Sequence, residues 1–207
     1  MGKNDELKNV TNSVKCLIVF EHKTAQLYED IAEQTRNLPL VKSLLLQISL
    51  DSQKHSIILK GLAQSLPKTS WKPTDLPKAI AEAWRSIDAF QMELSDVDEI
   101  LDEDLSSLPR QLSSLELIMA EAYDILVRYQ NLELISPELS KIYTVNLESL
   151  KNMFMEIIHD EEHHKEILMT IKELLAKKHE EKMETTPIVR FQNPDAWGRA
   201  LPSNSQC

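Results

Sequence analysis

The sequence predicts an all-α protein: a bundle of four long helices with one long helical crossover between the second and the third. Three observations carry that expectation. Glycine is scarce, at 3 residues, and aromatic residues make up only 5% of the chain, so the turn glycines and aromatic runs that sheets need are missing. Apolar residues recur at helical spacing over long stretches. Short proline-marked breaks, at Asn37-Leu38-Pro39 and Ser136-Pro137, separate those stretches.

The first helix is expected over 5–36, with Val14, Leu17, Ile18, Glu21, Ala25, Tyr28 and Ala32 at core spacing. Pro39 then suits a first helical position, opening a second helix over 38–65. A third runs over 109–134. Ser136 followed by Pro137 reads as an N-cap and first helical residue, opening a fourth over 137–182. Turns of a few residues make helices 1–2 and 3–4 two antiparallel hairpins. Between the hairpins, residues 66–109 form the crossover, in which Leu76 to Leu94 reads as an additional helix and Asp96 to Asp104 as a short acidic one. The bundle domain spans 1–183. From 184 to 207 the pattern gives way to Pro187, Phe191, Pro194, Trp197 and Pro202. Two readings of that tail stay open: a disordered terminus, or a segment docked through Ile188, Val189, Phe191 and Trp197 on its own domain or a second subunit.

Length and charge narrow the function. A chain of 207 residues suits one well-buried domain. A formal charge of −10, with no basic stripe, argues against a nucleic-acid partner. Gly-rich phosphate loops are absent. Cys16 and Cys207 make neither a metal-spaced motif nor a disulfide framework. No run reaches membrane length, the start at Met1-Gly2-Lys3-Asn4-Asp5-Glu6 resembles no secretory signal, and a myristoylation pattern is lacking. The expectation is a cytoplasmic protein without a membrane partner.

One motif occurs twice. Asp160-Glu161-Glu162-His163-His164 places a Glu three residues before a His, and Asp51-Ser52-Gln53-Lys54-His55 repeats it about a hundred residues earlier. Laying 41–59 over 150–168 pairs Lys42 with Lys151, Ile48 with Ile157, Asp51 with Asp160, His55 with His164 and Leu59 with Leu168. The match breaks at one ligand position, where Ser52 stands for Glu161.

Helical geometry selects among the candidate ligands. Glu161 and His164 share a face with Leu150, Phe154, Ile157, Leu168 and Leu175, so they point into the core. An unpaired carboxylate there is costly, and a metal or counter-charge is the usual remedy. His159, His163 and Glu156 fall on the opposite, solvated side. His55 follows Leu44, Ile48, Leu59 and Leu62 inward, and Glu21 is framed by Leu17, Ile18, Ala25 and Tyr28. On the third helix Glu121 is framed by Leu117, Ile118, Ile125 and Leu132, with Asp124 one turn on.

This ordered set of motifs resembles the ferritin-like superfamily, and within it the di-iron domain of rubrerythrins. Glu21 followed by Tyr28 matches the first helix of that family. Glu121, Asp124 and Tyr129 match the third, with Asp for the family's second Glu. Glu161/His164 is an intact Glu-x-x-His, and Ser52/His55 a broken one. The resemblance covers most of the first 182 residues apart from the crossover. It implies a metal site of Glu21, His55, Glu121, Asp124, Glu161 and His164, holding iron, with manganese as the other candidate. By the same resemblance Asp160 orients His55, Asp51 orients His164, and Tyr28 and Tyr129 hydrogen-bond to ligand carboxylates.

The implied activity is reduction of peroxide or dioxygen. No Cys-x-x-Cys pair is present to build the rubredoxin module of full-length rubrerythrins, so turnover implies an external electron donor. Because Ser52 removes one anionic ligand, one metal position is expected to be weakened, and both a two-ion site and a single or asymmetric one stay open. A non-catalytic protein that stores metal, or serves as an interaction scaffold, remains the competing reading. The tail and the resemblance both point to a homodimer or larger homo-oligomer.

Overall fold

The computed structural model describes residues 2–35, 37–70, 78–95, 102–144 and 146–185. Among them all regular structure is helical: α1 (Lys3–Gln34), α2 (Pro39–Gln64), α3 (Lys78–Ser95), α4 (Asp102–Val127), α5 (Tyr129–Leu139) and α6 (Leu147–Thr185). The protein is all-α over these residues. The tail expected from 184 onward lies almost entirely outside them.

Two long pairs form the frame, α1 along α2 and α4 along α6. Small side chains let the first pair approach closely. Ser49 Oγ donates to the Ala25 carbonyl at 2.9 Å, and Ser56 Oγ to the Ile18 carbonyl at 3.1 Å. As α2 advances, its partners on α1 recede, so the two run antiparallel. Pro39 opens α2 as expected, after a turn in which Leu38 N–H bonds the Thr35 carbonyl.

Side-chain pairs fix the other directions in the same way. Tyr28 meets Glu116 while Tyr123 meets Glu21, which sets α4 antiparallel to α1. His55 meets Asp160 while His164 faces Asp51, which sets α6 antiparallel to α2. It follows that α2 and α4 run the same way, and the chain must return the length of the molecule between them. That return is α3. It runs beside α1, joined by the Lys23–Asp88 ion pair, by Gln91 Nε2 to Asp30 Oδ2 at 3.1 Å and by Gln34 Nε2 to the Leu94 carbonyl at 2.8 Å. Ile80, Ala83, Ile87 and Leu94 are its buried side, and Trp84 packs on Phe20 with Lys23 over its ring.

The second half departs from expectation. Helix is already present at Asp102, where a boundary was expected at 109, and Pro109 lies inside α4. Residues 96–101, part of the short acidic helix expected at 96–104, lie outside the described set, and 102–104 belong to α4. The third helix was expected to reach 134 and turn tightly at Ser136-Pro137. Instead Arg128 is extended, with φ −54° and ψ 131°, and ends α4. Asn131 restarts the chain, its N–H on the Arg128 carbonyl and its side chain on the Ile125 carbonyl at 2.6 Å. Pro137 therefore falls inside the separate helix α5, which buries Leu132, Ile135 and Leu139. The last helix begins ten residues later than expected, at Leu147 rather than 137. Its cap is Asn146, whose Oδ1 accepts the Ser149 N–H at 2.8 Å and so satisfies a first-turn donor.

Candidate metal centre

Glu21, His55, Glu116, Glu161 and His164 meet between α1, α2, α4 and α6, and all five are buried to within 1% of complete. Each is there because it occupies a polar position on an otherwise apolar stripe. Leu17, Ala25 and Tyr28 accompany Glu21; Ile48 and Leu59 accompany His55; Ile157 and Leu168 accompany Glu161 and His164. Burying those stripes carries the polar groups inward with them.

The side chains form two groups that share Glu161. His55 Nδ1 lies 3.2 Å from Glu21 Oε1 and 3.1 Å from Glu161 Oε1. His164 Nδ1 lies 2.8 Å from Glu116 Oε2 and 3.8 Å from Glu161 Oε2. In each group one oxygen or nitrogen from every residue falls within 4.8 Å of the others, close enough to hold a metal ion. The imidazole centroids are 6.2 Å apart.

A second set of contacts orients these groups. Both Nδ1 atoms face carboxylates, and both Nε2 atoms face an aspartate from the facing helix. His55 Nε2 is 3.0 Å from Asp160 Oδ2, and His164 Nε2 is 3.5 Å from Asp51 Oδ2. Tyr28 donates its hydroxyl to Glu116, and Tyr123 donates to Glu21. The arrangement thus repeats across a local two-fold relation that exchanges α1 with α4 and α2 with α6.

Electrostatics follows from burial. Burial and the neighbouring Glu161 push the Glu21 carboxyl up to about 7, against the lowering effect of His55 and Tyr123. Glu161 is also raised, chiefly by burial. Burial opposes charge on His55, yet the flanking Glu161 and Glu21 raise it to about 10. His164 is raised to about 10 against the same penalty, by Glu116 and Glu161. Burial and the adjacent Glu116 hold the Tyr28 hydroxyl well above its ordinary range, and burial with Glu21 does the same for Tyr123, so both stay protonated as donors. In the metal-free protein the two raised imidazoles offset part of the charge of the three glutamates.

That pairing leaves gaps in the hydrogen bonding. Glu21 Oε2, Glu161 Oε1, His55 Nδ1, His164 Nε2 and Ser52 Oγ are buried and have no directed hydrogen-bond partner. An unpartnered buried polar atom costs about 1–3 kcal/mol. Two carboxylate oxygens and an imidazole Nδ1 among them suit a borderline-hard cation, and the donor set of carboxylate oxygen and imidazole nitrogen fits iron or manganese.

The third helix needs correction. Glu121 and Asp124 are exposed and take no part in the cluster. Leu117 and Ile125, which frame Glu121, are each 49% exposed. Glu121 lines a cavity of about 130 Å³ with Ser13, Cys16 and Ile80, on the side of α4 away from the histidines. The group that reaches the cluster is Glu116, carried by the stripe of Leu112, Leu115, Met119, Tyr123 and Leu126. The side chain of Tyr129 lies outside the described part of the structure, and the tyrosine bonded to Glu21 is Tyr123. A signal for both was present: Glu21 and Tyr28 are seven residues apart, and so are Glu116 and Tyr123.

Ser52, which aligns with Glu161 in the repeat, is buried. His159, His163 and Glu156 are solvent-facing. Among the described residues no helix is long and apolar enough to cross a membrane. Comparison with protein-family models, with curated proteins and with solved structures returns no match.

Proposed function

We propose that this chain is a ferritin-like four-helix bundle that binds divalent iron or manganese between Glu21, His55, Glu116, Glu161 and His164. The observation that carries this reading is the pair of buried Glu/Glu/His groups sharing Glu161, one of which sets the unpartnered His55 Nδ1 3.1 Å from the unpartnered Glu161 Oε1. Two-metal bundles of this class take one Glu from each of two helices and a Glu-x-x-His from each of the other two. Glu21 and Glu116 supply the first kind, and Glu161/His164 the second. Ser52/His55 is the second kind with its bridging carboxylate removed. The parallel run of α2 and α4, joined through α3, is the topology such a bundle requires.

When bound, such a metal supplies one-electron steps between divalent and trivalent states, the chemistry of peroxide or dioxygen reduction. The protein's part is to bind and to shield. Glu161 would be shared between the two groups; Asp160 contacts His55 Nε2 at 3.0 Å and Asp51 faces His164 Nε2 at 3.5 Å, leaving both Nδ1 atoms inward; the tyrosine hydroxyls fix Glu21 and Glu116. Electrons for a rubrerythrin-like oxidoreductase would come from an external donor, and a homodimer is the proposed assembly. One observation favours a second reading, a storage or interaction scaffold without turnover. The two imidazolium ions already offset much of the carboxylate charge, and Ser52 lacks the second bridge.

Anaerobic titration with ferrous iron and with Mn(II) separates these readings. The parent protein is expected to bind one or two ions, Glu161→Ala none, and Ser52→Glu two with tighter binding. Equal uptake by all three, or uptake by none, removes the metal reading. Metal uptake without consumption of peroxide or dioxygen in the presence of a reductant leaves storage as the function.

A further inference from the structure

Lys54 connects the two halves of the candidate centre. Its Nζ lies 3.0 Å from Asp51 Oδ1 and 2.7 Å from Asp160 Oδ2. Those are the aspartates that face His164 Nε2 and His55 Nε2. A continuous polar path therefore runs His164–Asp51–Lys54–Asp160–His55, across α2 and α6. The local two-fold relation does not reproduce it. In the repeat, Lys54 aligns with His163, which is solvent-facing and turned to Glu166 at 3.3 Å. One cation serves both aspartates.

The path is also where the cluster meets solvent. The five inner side chains are buried, whereas Asp51, Asp160 and Lys54 are 25%, 33% and 48% exposed at their side chains. Without a cation between them, Asp51 and Asp160 would repel each other at the boundary between α2 and α6. Each would be free to turn to water and release its imidazole.

We propose that Lys54 is a positioning residue: by drawing Asp51 and Asp160 together it fixes both imidazoles with Nδ1 toward the carboxylates. Its consequence for affinity rests on the metal-binding reading above; its consequence for the imidazoles does not. Simple electrostatics and positioning predict opposite signs. Removing a cation near the site tightens binding of a divalent ion by Coulomb attraction alone. Removing the partner that orients ligand histidines weakens it, typically by about 10- to 100-fold.

The test compares the full-length parent with Lys54→Met, Lys54→Gln and Lys54→Arg. A half-exposed lysine contributes little to folding stability, so all three are expected to fold. In the metal-free protein at fixed pH, NMR of the ring nitrogens reads the two Nε2–H resonances in the parent, that of His55 slowed in exchange by its 3.0 Å contact with Asp160 and that of His164 by its burial beside Asp51. They are expected to persist in Lys54→Arg and to exchange rapidly in Lys54→Met and Lys54→Gln. Mn(II) affinity is expected to fall at least 10-fold in Lys54→Met and Lys54→Gln and to stay near the parent's in Lys54→Arg. Parent-like Nε2–H resonances in Lys54→Met, or an affinity unchanged or tightened by it, overturn the proposal. Absence of metal uptake by the parent would remove the metal reading, and the imidazole resonances would then decide the role of Lys54 alone.

Discussion

Glu116 and Glu121 show what a single helical position decides. They lie five residues apart, about 140° round the helix axis, so only one can face the histidines. Both are flanked by apolar residues, and the pattern around Glu121 is as regular as that around Glu116. The structure buries Leu112, Met119 and Tyr123, and leaves Leu117 and Ile125 half in water. Glu116→Ala is expected to abolish uptake at the His164 position, because it removes the carboxylate 2.8 Å from His164 Nδ1. Glu121→Ala and Asp124→Ala are expected to match the parent. Anaerobic titration of the three variants checks this, and loss of metal in Glu121→Ala alone would reject the assignment of Glu116.

At the scale of elements, the decisive feature is where α6 begins. A serine followed by proline is a good helix start, yet Ser136 and Pro137 lie in the final turns of α5. The effective signal is the less conspicuous Asn146, which caps the Ser149 N–H. Asn146→Ala is expected to lower stability by about 1 kcal/mol, the usual cost of losing such a cap. Urea unfolding followed by circular dichroism checks it, and an unchanged midpoint would show that the cap contributes nothing. Ser136→Ala, at the position where a cap was expected, should cost less, since Ser136 is engaged through its backbone carbonyl with Ser140. Helix α2 was easier to place, because Pro39 follows directly on a short turn and the helix packs on its neighbour in sequence.

For the whole molecule, the proposed reading makes protonation and a metal compete for the same atoms. His55 and His164 have folded values near 10 against an ordinary 6.5, so the stability they contribute is complete below about 6.5 and lost as pH rises through 10. Glu21, raised from its ordinary 4.5 to about 7, likewise contributes most below 4.5 and loses it through 7. The metal-free protein should therefore weaken progressively from pH 5 to 10. A bound cation requires the deprotonated forms, so uptake at neutral pH should release protons, and the rise in thermal midpoint with Mn(II) should grow with pH. Thermal scans at pH 6 and pH 9, with and without Mn(II), check both statements. An equal shift at the two pH values would show that these groups are not the ligands.

The sequence by itself determined the all-helical class, the extents of α1 and α2 to within a few residues, and the inward faces of Glu21, His55, Glu161 and His164. Those are local properties: helical periodicity, a proline-marked turn and an internal repeat, each readable from neighbours along the chain. Tertiary structure decided the rest. Helix α4 carries two apolar stripes, and its own periodicity does not choose between them; contact with α1 and α6 does, by burying Glu116 against Tyr28 and His164. The extra helix α5 depends on Arg128 turning extended and on Leu132, Ile135 and Leu139 finding a core to enter. Lys54 reads in sequence as one more surface lysine. It links the two halves only because α2 and α6 pack antiparallel and bring Asp51 and Asp160, remote in the chain, to the same ammonium.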